Sequence, residues 1–448
     1  MSLEKKTVIL TIEIADREIV PKTLLALELV KQGFRVYMGS FRAIHEIHKK
    51  IDSCVFFHKS SYRSRIKKYK KNMGAIVAVL DEELGPAIVP SRMKGLCEDR
   101  CKAINNEDYD YIFTLGEGYR KRISELPNVK GIKVLPYGWP RIDLWRREFK
   151  GIYEYSVSDI KERFGNYLLF ISSFGLTSKS AFEYQLSVCP ESEVATVERS
   201  YEAYKSYVSL LKRLAKNYSG KVIIRPHTSE SVEDWEKIFH DCENVEVLRE
   251  GDVTPWLLGA FGVLTYRSTV AIQAALNDIP VVQYKINDVD EPSGAVYKVS
   301  NCAETFEEVL SYLGLKQKGG GRNTYAPNVD ELLKDEIASL SGSFSASKIA
   351  EELSLISLIP QQEIKISLLR QRASKLWARF KYFEYKLKKK LFPIHMSIRV
   401  SRFEKLPNGV KENEISQNIK AIAPVIGLDG ASIKCVQVMN DLVSVEVV

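Results

Sequence analysis

The chain has 448 residues, 45% of them hydrophobic and 27% charged, with a formal net charge of +8; that length exceeds one ordinary core and implies roughly two or three domains. No run reaches the ~20 apolar residues that span a membrane, the N-terminal residues lack the apolar stretch and cleavage site of a signal peptide, and the seven cysteines, without a CxxC pair, read as reduced thiols rather than a disulfide or zinc framework. Positive charge is confined to residues 365–405, where thirteen Lys/Arg against two acids give +11 and leave −3 for the remainder, so a nucleic-acid-binding body is excluded.

Strand-like and helix-like patterns alternate from the start. TVILTIEIA (7–15) reads as a strand and PKTLLALELVKQG (21–33) as a helix with an apolar stripe. FRVYMGS, a helix around AIHEIHKKI, CVFFH, a polar helix SYRSRIKKYKKN and the apolar run of AIVAVLDEE follow; YDYIFTLG and IKVLPYG add two strands with a helix between them. Such a βα series predicts a doubly wound parallel sheet. RREFKGIYEYSVSDIKERFG (146–165) reads as a charged linker, after which the series restarts with NYLLFISSFG, a long helix through EAYKSYVSLLKRLAKNY, KVIIRPHT, a helix SVEDWEKIFHD, and NVEVL. In VLTYRSTVAIQAALNDIPVVQY (263–284) two buried strands flank a short alanine-rich helix, a βαβ unit. GGGRNTYAP (319–327) reads as a loop and SASKIAEELSLISLI as a closing helix. The expected architecture is α/β, with two Rossmann-like doubly wound domains facing a cleft. Residues 1–150 form the first domain and 151–345 the second; 346–410 hold closing helices and a basic amphipathic helix, and 411–448 a small C-terminal element that reads as β and is given no role.

In a parallel sheet, ligands bind beyond the carboxyl ends of the strands. Four such ends in the second half carry polar residues: Ser172-Ser173-Phe174-Gly175, Arg225-Pro226-His227-Thr228, Arg249-Glu250-Gly251-Asp252 and Arg267-Ser268-Thr269. A guanidinium, an imidazole, hydroxyls and helix N-termini on one rim suit a diphosphate or phosphodiester. No GxGxxG fingerprint is present, which argues against a dinucleotide dehydrogenase. In the first half, Asp81, Glu82 and Glu83 follow a wholly apolar run, where a strand opens into a cleft. A carboxylate there can act as base on a hydroxyl or as nucleophile on an anomeric carbon. Glu82 is the first choice, with Glu83 and Asp81 as substitutes, because successive strand residues alternate faces. Glu13, Asp16 and Glu18 form a second acidic rim, from which Glu13 and Glu18 would position an acceptor or supply a base; Asp143 reads as a helix cap.

IIRPHTSESVEDW, LREGDVTPWLLGA and TYRSTVAIQAALNDIPVV, together with ALELVKQGFRVYMGS, AVLDEE and YGWPRIDL, resemble the GT-B glycosyltransferases of bacterial surface-carbohydrate biosynthesis related to the retaining Kdo and pseudaminic acid transferases. The resemblance covers residues 7 to 300 and departs from the family pattern at Thr228, Arg267 and Trp139. It implies a CMP-activated ulosonic or nonulosonic acid as donor, a growing surface glycan, lipid-linked or not, as acceptor, and capsule or lipopolysaccharide assembly as setting. The nucleotide sugar would meet Arg225, His227, Ser172, Ser173, Glu250, Asp252, Arg267, Ser268 and Thr269; no cofactor and no metal are implied. The rival readings are a nucleotide-sugar 2-epimerase or a glycerophosphotransferase on the same fold, and a noncatalytic nucleotide-sugar-binding scaffold.

In ISLLRQRASKLWARFKYFEYKLKKKLF, apolar residues recur at Ile366, Leu369, Ala373, Leu376, Phe380, Phe383, Leu387 and Leu391. Spacings of three and four predict an amphipathic helix, and its basic, aromatic composition suits the anionic inner face of the cytoplasmic membrane. A cytoplasmic protein held peripherally through residues 365–405 is the resulting expectation.

Overall fold

The computed structural model describes residues 4–59, 63–83, 85–86, 88, 90–175, 177–227, 230–286, 294–315, 328–391 and 405–448. They form two compact units, one from Met1–Leu84, Met93–Leu144 and Lys334–Val448, the other from Gly85–Arg92 and Trp145–Leu333. The loop expected at 319–327 lies outside the described residues.

The first unit is built on β1 (Thr7–Ile12), β2 (Arg35–Ser40), β3 (Cys54–His58), β4 (Ala75–Leu80), β5 (Tyr111–Phe113) and β6 (Lys133–Leu135), all parallel in the order β2-β1-β3-β4-β5-β6. β1 to β3 are buried along their whole length, which is why their sequences run apolar instead of alternating. The strand order reverses between β1 and β3, the place where such sheets leave a crevice.

The second unit has β7 (Tyr167–Ile171), β8 (Lys221–Arg225), β9 (Val245–Val247), β10 (Gly262–Thr265), β11 (Val281–Tyr284) and β12 (Asn301–Ala303), parallel in the order β12-β11-β10-β7-β8-β9. Its reversal point lies between β7 and β10. Beneath it Phe170, Phe174, Tyr204, Tyr207, Trp235 and Tyr266 pack as one aromatic cluster, with Phe174 stacked on Tyr266 at 5.0 Å. The Tyr207 hydroxyl donates to Thr265 O at 2.9 Å and accepts from Tyr284 N–H at 2.8 Å, which satisfies its polar end.

Three expectations are corrected. Residues 146–165 are not a linker: a 3-10 turn (Arg147–Tyr153) and a helix (Glu154–Phe164) bury Phe149, Tyr153 and Ile160 within the second unit. The helix Ser345–Ser354 belongs to the first unit, capped by Asp143, whose carboxylate accepts from Ser345 and Ala346 N–H at 2.8 and 2.9 Å. Residues from 411 onward do form a small β element, but it joins the sheet of the first unit instead of standing apart. β13 (Ile433–Met439) and β14 (Leu442–Val447) form an antiparallel hairpin, and β14 pairs antiparallel with β2, so the chain's end completes an eight-stranded sheet. A Cβ on Gly39 would sit 2.7 Å from Asp441 O, so glycine is what lets the hairpin turn close on β2.

The hairpin is also tied by charge. Arg35 is fully buried; its Nε donates to Glu446 at 2.8 Å and its Nη1 to Gln361 O at 3.0 Å. Lys434 reaches the same carboxylate at 3.3 Å. Removing one partner of a buried pair strands the other, at a typical cost of about 3–5 kcal/mol. Glu446→Ala is therefore expected to lower urea-unfolding stability by about that amount, with an exposed-acid variant such as Glu236→Ala as the neutral control.

Candidate active site

A recess with about 440 Å³ of open space lies at the carboxyl ends of β1, β3 and β4 in the first unit, lined by Thr11, Glu18, Lys22, His58, Lys59 and Glu82 among others. It falls at the reversal of strand order, where a ligand is expected. β4 ends at Leu80, so the acidic triplet enters the loop beyond it, and its three carboxylates part company. Asp81 is buried in a bidentate pair with Arg100, at 2.7 and 2.6 Å, and accepts Glu83 N–H at 3.0 Å. Glu83 is exposed and pairs with Arg17 at 3.2 Å. Glu82 alone of the three lines the recess.

Burial pushes the Glu82 carboxyl above its ordinary value; Arg141 and Lys22 pull against this without cancelling it, and Glu18 adds to it. Glu18, across the same recess, goes the other way. Burial would raise it, but Lys22 at 2.5 Å and Lys59 at 3.0 Å hold it down at about 2, helped by Glu13 N–H at 3.0 Å. Two carboxyls driven apart in one recess are the usual mark of divided acid–base roles. Glu18 is thus held ionised between two lysines, which it organises at the edge of the recess. Glu13 is exposed; burial raises its carboxyl, but Lys405 at 2.7 Å and Lys59 at 3.7 Å bring it below the ordinary value.

In the second unit, the four polar strand ends come together on one rim and are wired to one another. Ser173 Oγ donates to Tyr266 O, joining the β7 and β10 loops across the reversal point. Arg249 Nη1 donates to His227 O at 3.2 Å and Glu230 O at 3.0 Å, joining the β9 and β8 loops. Arg225 is buried and spent inward: its guanidinium donates to Glu250 O at 2.8 Å and Gly251 O at 2.9 Å and lies 5.1 Å from the Trp256 ring. Burial brings its pKa down to about 10. The Glu250 side chain is exposed and meets Arg163 at 3.2 Å, and Asp252 caps the helix Val253–Gly259 through Thr254 N–H at 2.7 Å. Ser172 Oγ donates to Glu230. The side chains of Arg225, Ser172, Ser173 and Asp252 thus brace the rim through contacts within the protein.

Glu230 is the residue that the sequence reading missed. Its buried carboxylate accepts from Phe174 N–H at 2.8 Å, Gly175 N–H at 3.0 Å, Trp235 Nε1 at 3.0 Å and His227 N–H at 3.4 Å. The β7 loop does form an anion-binding nest, but the chain fills it with its own carboxylate. In the sequence Glu230 stands among polar residues one place before a helix-capping serine, and nothing local separates it from a solvated acid. The groups left facing outward are His227, which is exposed, and half-buried Arg267, Ser268 and Thr269. Arg267 has φ +51°, an uncommon conformation for a side-chain-bearing residue. Buried Gln283 holds it there, accepting Arg267 N–H at 3.0 Å while donating to Ser300 Oγ at 3.0 Å. Among the described residues no group of three or more His, Cys, Asp or Glu side chains could hold a metal ion.

No family model matches the chain, and no curated protein matches it. Among solved structures it is similar to the UDP-GlcNAc 2-epimerase from Methanocaldococcus jannaschii, at 13% identity over 78% of this chain and 99% of that one, with a TM-score of 0.50. It also matches the UDP-N-acetylglucosamine 2-epimerase from Rickettsia bellii (13% identity, 79% and 97% covered, TM-score 0.45) and the wall teichoic acid polymerase TagF (11% identity, 78% and 87% covered, TM-score 0.43). The first likeness is one of fold: the chain has the GT-B type of architecture, with two Rossmann-like α/β units.

Two outcomes follow. Glu18 has a depressed pKa when folded, so its stabilisation is present above about pH 4.5 and is lost as pH falls toward 2. Glu18→Gln should therefore destabilise by roughly 3 kcal/mol at neutral pH, the gap from wild type closing over that window in urea titrations. Glu230→Gln presents an amide N–H₂ to N–H donors and should cost roughly 3 kcal/mol in the same assay; a change below about 0.5 kcal/mol would show that the nest tolerates a neutral occupant.

Proposed function

We propose that the chain is a nucleotide-sugar-dependent glycosyltransferase of bacterial surface-glycan assembly, with Glu82 as its catalytic carboxylate. The observation that carries the reading is the Glu82–Glu18 recess at the strand reversal: a carboxyl partly stripped of water beside a permanently ionised one. A carboxylate with little solvation is both a stronger base and a better nucleophile than one in water. The specific form of the proposal, taken from the sequence resemblance, is transfer of an ulosonic or nonulosonic acid from its CMP donor with retention. A Glu82 oxygen bonds to the anomeric carbon as the bond to the CMP phosphate breaks and CMP leaves with the electron pair. An acceptor hydroxyl oxygen then bonds to the anomeric carbon as the bond to the Glu82 oxygen breaks, and its proton passes to the released Glu82 carboxylate and on to water. Lys22, Lys59 and Arg141 supply positive charge around the recess, which suits an anionic sugar. His227, Arg267, Ser268 and Thr269 are the donor contacts in this reading, set on a rim braced by Glu230 and Arg225.

A second reading, a nucleotide-sugar 2-epimerase, is favoured by the fold likeness to the M. jannaschii enzyme. There a carboxyl with a raised pKa would move a proton on and off a sugar carbon, without any acceptor.

Thermal-shift titration with CMP, UDP and CDP separates the donors. CMP at about 100 times its dissociation constant should stabilise by about 2.7 kcal/mol, and His227→Ala should remove most of that gain while leaving the unliganded melting temperature in place, as its side chain is exposed. Equal stabilisation by UDP would sink the CMP assignment. Glu82→Gln should retain donor binding, because the nucleotide loops belong to the other unit, and lose several orders of magnitude in turnover. Intact-mass analysis of wild type with donor alone should show one added sugar on the Asp81–Glu83 peptide; conversion of UDP-GlcNAc to its 2-epimer would decide for the second reading.

A further inference from the structure

The helix Leu368–Leu391, 24 residues long, turns its apolar stripe the wrong way for a packed helix. Its protein-facing positions are Gln371, Ser374, Ala378, Lys381 and Tyr385, all small or polar-tipped, whereas Leu369 (78% exposed), Leu376 (65%), Phe380 (63%), Phe383 (66%) and Leu387 (48%) stand in solvent. At 3.6 residues per turn these five fall within one narrow stripe. Cations border it on both sides: Arg372, Arg379, Lys386 and Lys390 along one edge, Arg370 and Lys388 along the other, all exposed. The helix carries nine Lys/Arg and a single acid, Glu384, which is held by Lys381 at 2.6 Å and Lys388 at 2.7 Å. Trp377 stands next to the stripe with the Arg42 guanidinium 3.2 Å above its ring, and Arg370 donates to Glu46 O at 2.8 Å, so the N-terminal half is fixed to the first unit. Among the described residues no helix is long and apolar enough to cross a membrane.

An apolar stripe this long needs a cover, and its charge decides which. Spacings of four and three from Leu369 through Ala373, Leu376, Phe380, Phe383 and Leu387 would also fit a two-helix coiled coil. A second copy, however, would bring an equally cationic edge against each edge of the first, with one acid per helix to offset nine cations. Negative lipid headgroups complement the cations while the acyl boundary takes the leucines and phenylalanines. We infer that residues 368–391 form an interfacial helix that docks the protein on an anionic lipid surface, lying flat with Leu369, Leu376, Phe380, Phe383 and Leu387 inserted. The docking surface is independent of which sugar chemistry the enzyme performs.

The test uses the full chain and sedimentation with sucrose-loaded vesicles, either of phosphatidylcholine alone or with about 30 mol % phosphatidylglycerol. Binding to the anionic vesicles should be at least about tenfold tighter and should fade as salt rises from about 0.1 to 0.5 M. Phe380→Gln/Phe383→Gln, which alters only exposed positions, should lose binding about tenfold or more with an unchanged melting temperature; Arg372→Gln/Arg379→Gln/Lys386→Gln should lose the preference for phosphatidylglycerol. Equal or absent binding to the two vesicles overturns the inference. So does a melting-temperature collapse in the phenylalanine variant, which would mean that the stripe is packed in the fold. A vesicle-free dimer that this variant dissociates would identify a second copy as the cover instead.

Discussion

A carboxylate removed from water has to collect its counter-charge or its hydrogen-bond donors from the protein around it, or stay protonated. Three buried or half-buried glutamates, one in the first turn of a helix and two in loops beyond strands, answer that demand in three ways. Glu18 takes two lysines and remains ionised. Glu230 takes two loop N–H groups, an indole and a serine hydroxyl. Glu82 has positive charge nearby without enough of it to offset burial, so its carboxyl lies above its ordinary value. Glu18 anchors the two lysines beside Glu82, and Glu230 ties the β7 loop to Trp235.

The same logic accounts for the closing of the first unit by the end of the chain. β2 would otherwise be an edge with a row of open backbone groups, a known route to aggregation. β14 pairs with it from Leu442 to Val445, and Arg35, buried on that strand, finds its counter-ion in Glu446 only because the hairpin returns. The C-terminal residues are therefore part of the Rossmann-like unit that carries Glu82, although more than 300 residues of chain separate β2 from β14.

How far the sequence could be read depended on whether the deciding contacts were local. Apolar runs such as TVILTI and CVFFH announced the parallel strands, and polar residues at their ends announced the rim, because burial on both sheet faces leaves its imprint strand by strand. The preference for Glu82 over Asp81 and Glu83 came from position alone; what separates them is Arg100 and Arg17, residues brought in from other elements. Glu230 and Glu250 look alike in the sequence, yet one is buried under Trp235 and the other lies in solvent, a difference made by tertiary packing. Arg225 was readable as a guanidinium on the rim but not as one turned inward to two carbonyls. The pairing of β14 with β2 left no local trace, since an antiparallel strand added to the edge of a parallel sheet has only its own hydrophobicity to declare it. In the basic helix, periodicity showed an apolar stripe but not which way it faces, and the usual assumption, toward the protein, is the wrong one here.

Both units carry polar loops at the reversal of strand order, but they arrange them by opposite means. In the first, the loops beyond β1, β3 and β4 leave a recess, and burial raises the Glu82 carboxyl among charges that do not quite offset it. In the second, the loops beyond β7, β8, β9 and β10 are laced together by Ser173, Arg249, Arg225 and Glu230, so the backbone is rigid before any ligand arrives. Loops braced in this way lower the ordering cost of binding, and Gln283, itself donating to Ser300 and Val296, accepts the Arg267 N–H and so helps hold that residue at φ +51°. One unit thus closes its strand ends into a satisfied polar network, whereas the other leaves a buried carboxyl whose surrounding charges do not fully offset its burial.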